Sequence, residues 1–189
     1  MTREARRAQL LAVAAEEFAA HGLHGASIDA VAREAGITQT YVFRMFGTKK
    51  ALFLELVAAA FDRFSDGMRD AAAEAPAGST GLDRLSRMGR RYDELLADRT
   101  TLLLQLQGFA ACGDDEVRDL VRSRFAGLWD TVAATGLDDV TLKSFLAFGM
   151  LLNSGAALAV DDVDAPWARG VRTRIQPGLF EHVTTATNR

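Results

Sequence analysis

The stretch from Ser27 to Phe46, SIDAVAREAGITQTYVFRMF, constrains the fold more than any other part of the chain. Two short apolar-periodic runs flank Gly36-Ile37-Thr38. Each run follows a hydroxyl residue, Ser27 or Thr38, that can accept a backbone N–H at a helix start. Gly36 suits the left-handed backbone that ends the first run. The spacing predicts helix, tight turn, helix. That arrangement presents its second helix to the major groove of DNA.

The rest of the sequence is also helical in pattern. Only three prolines occur among 189 residues, long runs are rich in Ala, Leu, Arg and Glu, and strand-like alternation is scarce. The fold class read from this is all-α, with about eight or nine helices. A first helix starts after Thr2, sets Leu10, Leu11, Ala14 and Phe18 on one face, and stops at His21-Gly22. Ser27 caps a second helix with Ile28, Val31, Ala32 and Ala35 inward, and Thr38 caps a third. Thr48 caps a long fourth helix whose inner face is Leu52, Phe53, Leu56, Val57, Phe61 and Phe64. The pattern breaks around 73–78, and further helices are expected near 80–97, 100–112, 114–135 (capped by Asp114) and 138–159. Pro166, Gly170, Pro177 and Gly178 argue against one long final helix.

The formal net charge is −3, so a nucleic-acid footprint has to be local. Residues 1–50 carry seven basic and five acidic side chains, +2 locally, which leaves −5 for the remainder. A single cysteine, Cys112, excludes an internal disulfide. The charged start MTREARRAQL lacks a signal-peptide pattern, and no window approaches about 18 uninterrupted apolar residues. A cytoplasmic protein without a membrane span is expected.

At about 100° per residue, Val42, Phe46 and, at the edge, Phe43 share the inner arc of the third helix. Thr40, Tyr41, Arg44 and Met45 share the outer arc, and Gln39 sits at the helix start. Arg can pair bidentately with guanine and Gln with adenine, while the Thr methyl or Met can touch a thymine methyl. Lys49 and the backbone amides at the start of the fourth helix can grip phosphate.

AAEEFAAHGLHGASIDAVAREAGITQTYVFRMFGTKKALFLELV resembles the DNA-binding domain of the TetR family of bacterial transcriptional regulators. The matching positions include Gly22, Gly25, Ser27, Ile28, Val31-Ala32, Ala35-Gly36, Phe46, Lys49 and Leu52. The resemblance covers about a third of the chain, residues 3–64, with the recognition motif at 27–46. It implies base or backbone contacts from Thr38, Gln39, Thr40, Tyr41 and Arg44, and phosphate contacts from Ser27 and Lys49. Two positions depart from the family pattern. Phe43 stands where the family has a phosphate-holding tyrosine, and Met45 where it often has His or Tyr.

The same resemblance implies that residues 65–189 form a helical effector-binding and dimerisation domain. A homodimer contact would then lie within about 114–159, the second helix of which offers Phe145, Phe148, Leu151 and Leu152 with small residues Gly149, Gly155 and Ala156. The function implied is a one-component regulator, most simply a repressor. It would bind double-stranded operator DNA as a homodimer and be released by a small, largely apolar effector. Candidate pocket residues are Met88, Tyr92, Leu103, Gln105, Leu106, Phe109, Trp129, Phe148 and Asn153, together with Cys112. Buried Gln105 and Asn153 would each need a hydrogen-bond partner.

Catalysis finds little support. Glu17, His21 and His24 have metal-ligand residue types but read as a helix end and connector. Asp161, Asp162 and Asp164 lack the glycine and glutamate of a calcium loop. No nucleophile motif, cofactor motif or phosphate-binding loop occurs. The competing reading is a helical ligand-binding or protein-interaction module without DNA activity.

Overall fold

The computed structural model describes residues 2–172. Among the described residues the elements are α1 (Arg3–Gly25), α2 (Ile28–Glu34), α3 (Gln39–Phe46), α4 (Lys49–Ala73) and α5 (Gly81–Leu95), continuing with α6 (Arg99–Ala110), α7 (Asp115–Ala133), α8 (Asp139–Ala157), a 3₁₀ turn (Val160–Asp162) and α9 (Pro166–Arg172). No strand occurs among them, and the all-α reading stands. Pro177 and Gly178 lie outside the described residues. The chain packs as two compact units. One takes residues up to Arg63 with Asp98–Ala126; the other takes Phe64–Ala97 with residues from Gly127 on. The packing division thus differs from a simple split at 64/65, because 98–126 pack with the N-terminal helices.

The helix starts have local causes. Side-chain oxygens of Thr2, Ser27, Thr38, Thr48 and Asp98 accept the N–H of Ala5, Ala30, Tyr41, Ala51 and Thr101 at 3.0–3.3 Å. Thr80 and Asp83 form a reciprocal capping box, with N···O distances of 3.2 and 2.9 Å. Asp114 Oδ1 accepts from Glu116 and Val117 at 3.0 and 3.2 Å.

In the first unit, Leu10, Ala14 and Phe18 of α1 are fully buried and meet Val31, Val42, Leu52, Phe53 and Val57. The rings of Phe18 and Phe53 lie 5.4 Å apart. α1 breaks at Gly22, whose φ of 66° lies in the left-handed region. The printed helix resumes for one turn to Gly25, so the break falls where the sequence places the helix end. α6 covers this corner. Gln107 Nε2 donates to the Ala19 carbonyl at 3.2 Å, and a Cβ at Gly22 would meet Gln107 Oε1 at 2.6 Å. A methyl at Gly108 would approach Val57 Cγ1 to 2.7 Å, so α6 packs only because that position carries no side chain.

In the second unit the Tyr92 hydroxyl donates to Asn153 Oδ1 at 2.6 Å, tying α5 to α8. Burial pushes the Tyr92 phenol far above its ordinary range, so it stays protonated and able to donate. Phe64 packs on the same ring at 5.0 Å. Gly155 is buried, and a Cβ there would lie 2.9 Å from Val171 Cγ1 of α9. Its smallness therefore serves packing within the chain. An adjoining arc of α8 is open: Ala147, Met150, Leu151 and Ser154 are exposed, as is Leu158 beyond the helix end. By length and composition α8 is apolar enough to cross a membrane, with mean hydropathy 1.2, and only 17% of that window is buried.

Two substitutions test this packing. Gly108→Ala should cost about 1–3 kcal/mol through overpacking, seen as a lower urea midpoint at unchanged slope; a neutral result would mean α6 has room to shift. The Asp114 carboxyl is held below the ordinary carboxylate range, first by the Val117 N–H and then by Lys50. Such a group stabilises the fold above the unfolded pKa of about 3.9 and loses that contribution as pH falls through the folded value. Asp114→Ala should therefore lower the thermal midpoint at pH 7, and the gap to the parent should narrow below about pH 4. A gap as wide at pH 3 as at pH 7 would show that ionisation is not involved.

Candidate nucleic-acid interface

α2 and α3 meet through a turn whose geometry follows from three residues. Ala35 N–H bonds the Val31 carbonyl at 3.0 Å, and Ile37 N–H bonds the Ala32 carbonyl at 2.9 Å. Gly36 between them has φ 66°, a conformation that a side chain would strain. Thr38 is extended and starts α3 with its own hydroxyl. The outcome is an eight-residue α3 held by one fully buried side chain, Val42.

Val42 sets the rotation of α3. Met45 and Phe46, one turn on, and Tyr41 beside it are partly buried against the core. Gln39, Thr40, Phe43 and Arg44 share the exposed arc. This corrects the arcs read from sequence. Tyr41 and Met45 lean inward, and Phe43, 39% exposed, stands outward. The buried side is centred between Val42 and Met45, which lies toward Tyr41, and Phe43 on the other flank of Val42 falls outside the contact. Phe43 is thus an exposed aromatic on the polar arc, which apolar-equals-inward reasoning missed.

The cations around the motif fall into two groups. Arg7 pairs with Glu55 and lies 5.3 Å above the Phe46 ring. Arg33 pairs with Asp29 at 2.8 Å. Lys50 pairs with Glu116 at 2.8 Å and Asp114 at 3.3 Å, and its ammonium pKa is raised, chiefly by the bond to Glu116. These three charges are already compensated. Arg44 is different: among the described residues no carboxylate lies within salt-bridge distance, and its guanidinium sits 5.1 Å over the Tyr41 ring. Lys49 Nζ donates to the His24 carbonyl at 2.9 Å, a neutral partner that leaves the positive charge uncompensated. Ser27 is exposed; its Oγ accepts from Ala30, so the hydroxyl proton remains to donate. Its N–H is held by Glu17 Oε1 at 2.7 Å, an anchor the sequence does not announce because Glu17 lies ten residues away on α1.

The pocket candidates divide between the two units. Leu103, Gln105, Leu106 and Phe109 belong to the first unit; Met88, Tyr92, Trp129, Phe148 and Asn153 belong to the second. Gln105 is buried, and Asn153 is buried with Tyr92 as a partner. Phe109 packs edge-on to Phe61 at 5.4 Å. The second unit does hold an open pocket of about 660 Å³, to which Met88 alone among the candidates contributes. Its other walls are alanines and polar groups, including Arg69, Arg84, Asp130, Thr131 and Thr135. The lining is more polar than the sequence reading expects, because that reading looked for apolar runs.

A capped pair of short helices with an exposed, partly cationic second helix defines a helix-turn-helix domain. Residues 10–56 match the bacterial regulatory proteins of the tetR family, and this N-terminal domain belongs to that family. The HTH-type transcriptional activator FasR of Mycolicibacterium smegmatis is 34% identical over 71 residues, 38% of this chain. That match spans about a third of the relative's length (32%). Over most of the chain the fold is similar to solved regulators. A putative transcriptional regulator from Pseudomonas aeruginosa PAO1 aligns with a TM-score of 0.66 at 23% identity, covering 90% of this chain and 87% of that one. FadR from Bacillus subtilis, solved in complex with stearoyl-CoA, aligns with a TM-score of 0.67 at 16% identity, covering 87% and 95%.

Proposed function

We propose that the protein is a transcriptional regulator that binds operator DNA as a homodimer and responds to a small-molecule effector. Residues 3–64 would read DNA, and residues 65–189 would hold the effector and the dimer contact. The observation that carries the reading is the exposed arc Gln39, Thr40, Phe43 and Arg44 on a capped α3, with Lys49 beside it, neither Arg44 nor Lys49 having a carboxylate partner among the described residues. Thr38 and Tyr41 flank that arc. Arg44 suits a guanine edge or a phosphate, Gln39 an adenine, and Ser27 and Lys49 suit backbone phosphates. Repression is the simplest result, since a dimer seated in two successive grooves about 34–36 Å apart occludes a promoter. The relative named an activator shows why a reporter assay must fix the sign.

The dimer rests on α8. An apolar helix face exposing Met150 and Leu151 at 39% and 45% is costly to leave in water, and a second copy of the same face covers it symmetrically. The Tyr92–Asn153 bond anchors this helix in the folded unit, which supports an interface over a membrane span.

Mobility shift with the chain's own upstream DNA tests the central claim. A specific complex should form and weaken steeply with salt. No complex even at low salt would leave a helical ligand-binding module in its place. Arg44→Ala should cost about 1–3 kcal/mol of operator binding and relax preference at one base pair; uniform weakening across all sequences would make Arg44 a phosphate contact instead. Leu151→Glu should convert the dimer to monomer in light scattering and abolish operator binding at the same concentration. A dimer that survives this change would place the interface elsewhere.

A further inference from the structure

The open pocket of the second unit carries a chemical signature of its own. Arg69 is pre-positioned: its Nη1 donates to Asp66 at 2.5 Å, and its Nη2 lies 3.4 Å from both Ser65 Oγ and Thr131 Oγ1. Those two hydroxyls are themselves buried and bonded to each other at 2.9 Å. Arg84 lines the same pocket, and among the described residues no carboxylate lies within salt-bridge distance of it. Asp130 lines it too, and no ion pair joins Asp130 to either arginine. Opposite charges share one cavity without neutralising each other. Between them the walls are small, alanine methyls and the buried Met88.

We propose that this pocket binds a small carboxylate that carries a hydrogen-bond donor beside the carboxyl group, an α-hydroxy or α-amino acid with a compact apolar body. Arg84, backed by the fixed Arg69, receives the carboxylate. Asp130 accepts from the hydroxyl or ammonium. Met88 and the alanine methyls take the apolar body. Planar guanidinium groups match a carboxylate edge, whereas a neutral apolar ligand would make no use of Arg84 or Asp130, the two lining charges without an ion pair among the described residues. The inference rests on the effector reading above and names the class of effector.

A matched set of probes tests it on the full chain: phenyllactate and L-phenylalanine, 3-phenylpropionate without the donor, and 3-phenylpropanol without the carboxylate. Calorimetric titration without DNA should rank one of the first two tightest. 3-Phenylpropionate should be weaker by about tenfold and 3-phenylpropanol weaker still. Arg84→Ala should weaken the acids by about tenfold or more and leave the alcohol unchanged, while Asp130→Asn should erase the advantage of the α-substituent. Both side chains are exposed, and circular dichroism checks that the variants fold. The proposal is overturned if the alcohol binds as tightly as the acids, if no probe binds, or if Arg84→Ala changes nothing. Operator release is measured separately. Acids that bind through Arg84 without releasing DNA would keep the site and end the effector reading; release by the alcohol alone would keep the effector reading and end this assignment.

Discussion

The first unit depends on the contact between Phe18 and Phe53, two rings with no solvent exposure whose centres lie 5.4 Å apart. One belongs to α1 and the other to α4, so the contact fixes the two helices between which α2 and α3 are strung. Ile28, Val31 and Ala32 bury one face of α2 in the same cluster, and Val42 does so for α3. Helices of seven and eight residues would not persist alone in water, because nucleation is too costly for so few bonds. Their order comes from this apolar cluster and from their caps. The exposed arc of α3 is therefore positioned by residues that it never touches through solvent.

Much of this was readable before the fold was known. Ser27, Thr38, Thr48 and Asp114 cap helices in the structure as the sequence suggests, because a cap needs only a backbone N–H two or three residues away. The inner face of α4, from Leu52 to Phe64, is buried residue for residue. The rotation of α3 was harder. Eight residues make little more than two turns, and aromatic residues at both Tyr41 and Phe43 blur the apolar arc. Only the neighbouring helices decide which of the two rings turns outward.

Long-range relations were not legible at all. Nothing in the local pattern joins Gln107 to Ala19, Glu17 to Ser27, or Tyr92 to Asn153, and each pair is separated by ten to eighty-eight residues. The pocket of the second unit was missed for a related reason. Its polar residues come from α4, α5, α7 and the turn after α7, and each alone reads as an ordinary solvated side chain. Gly155 shows the converse. A small residue in an apolar helix suggests a partner helix, yet here the space is taken by Val171 of the same chain.

The placement of Arg44 over the Tyr41 ring has a consequence for how tightly α3 could hold a ligand. A free arginine on a surface samples many rotamers, and fixing such a side chain costs about 0.5–1.5 kcal/mol. A guanidinium resting on an aromatic face has surrendered part of that freedom in advance. Tyr41 is in turn half-buried against the core, which restricts the platform. Removing the Tyr41 ring would loosen Arg44 without deleting any of its donors, and the loss would register as entropy.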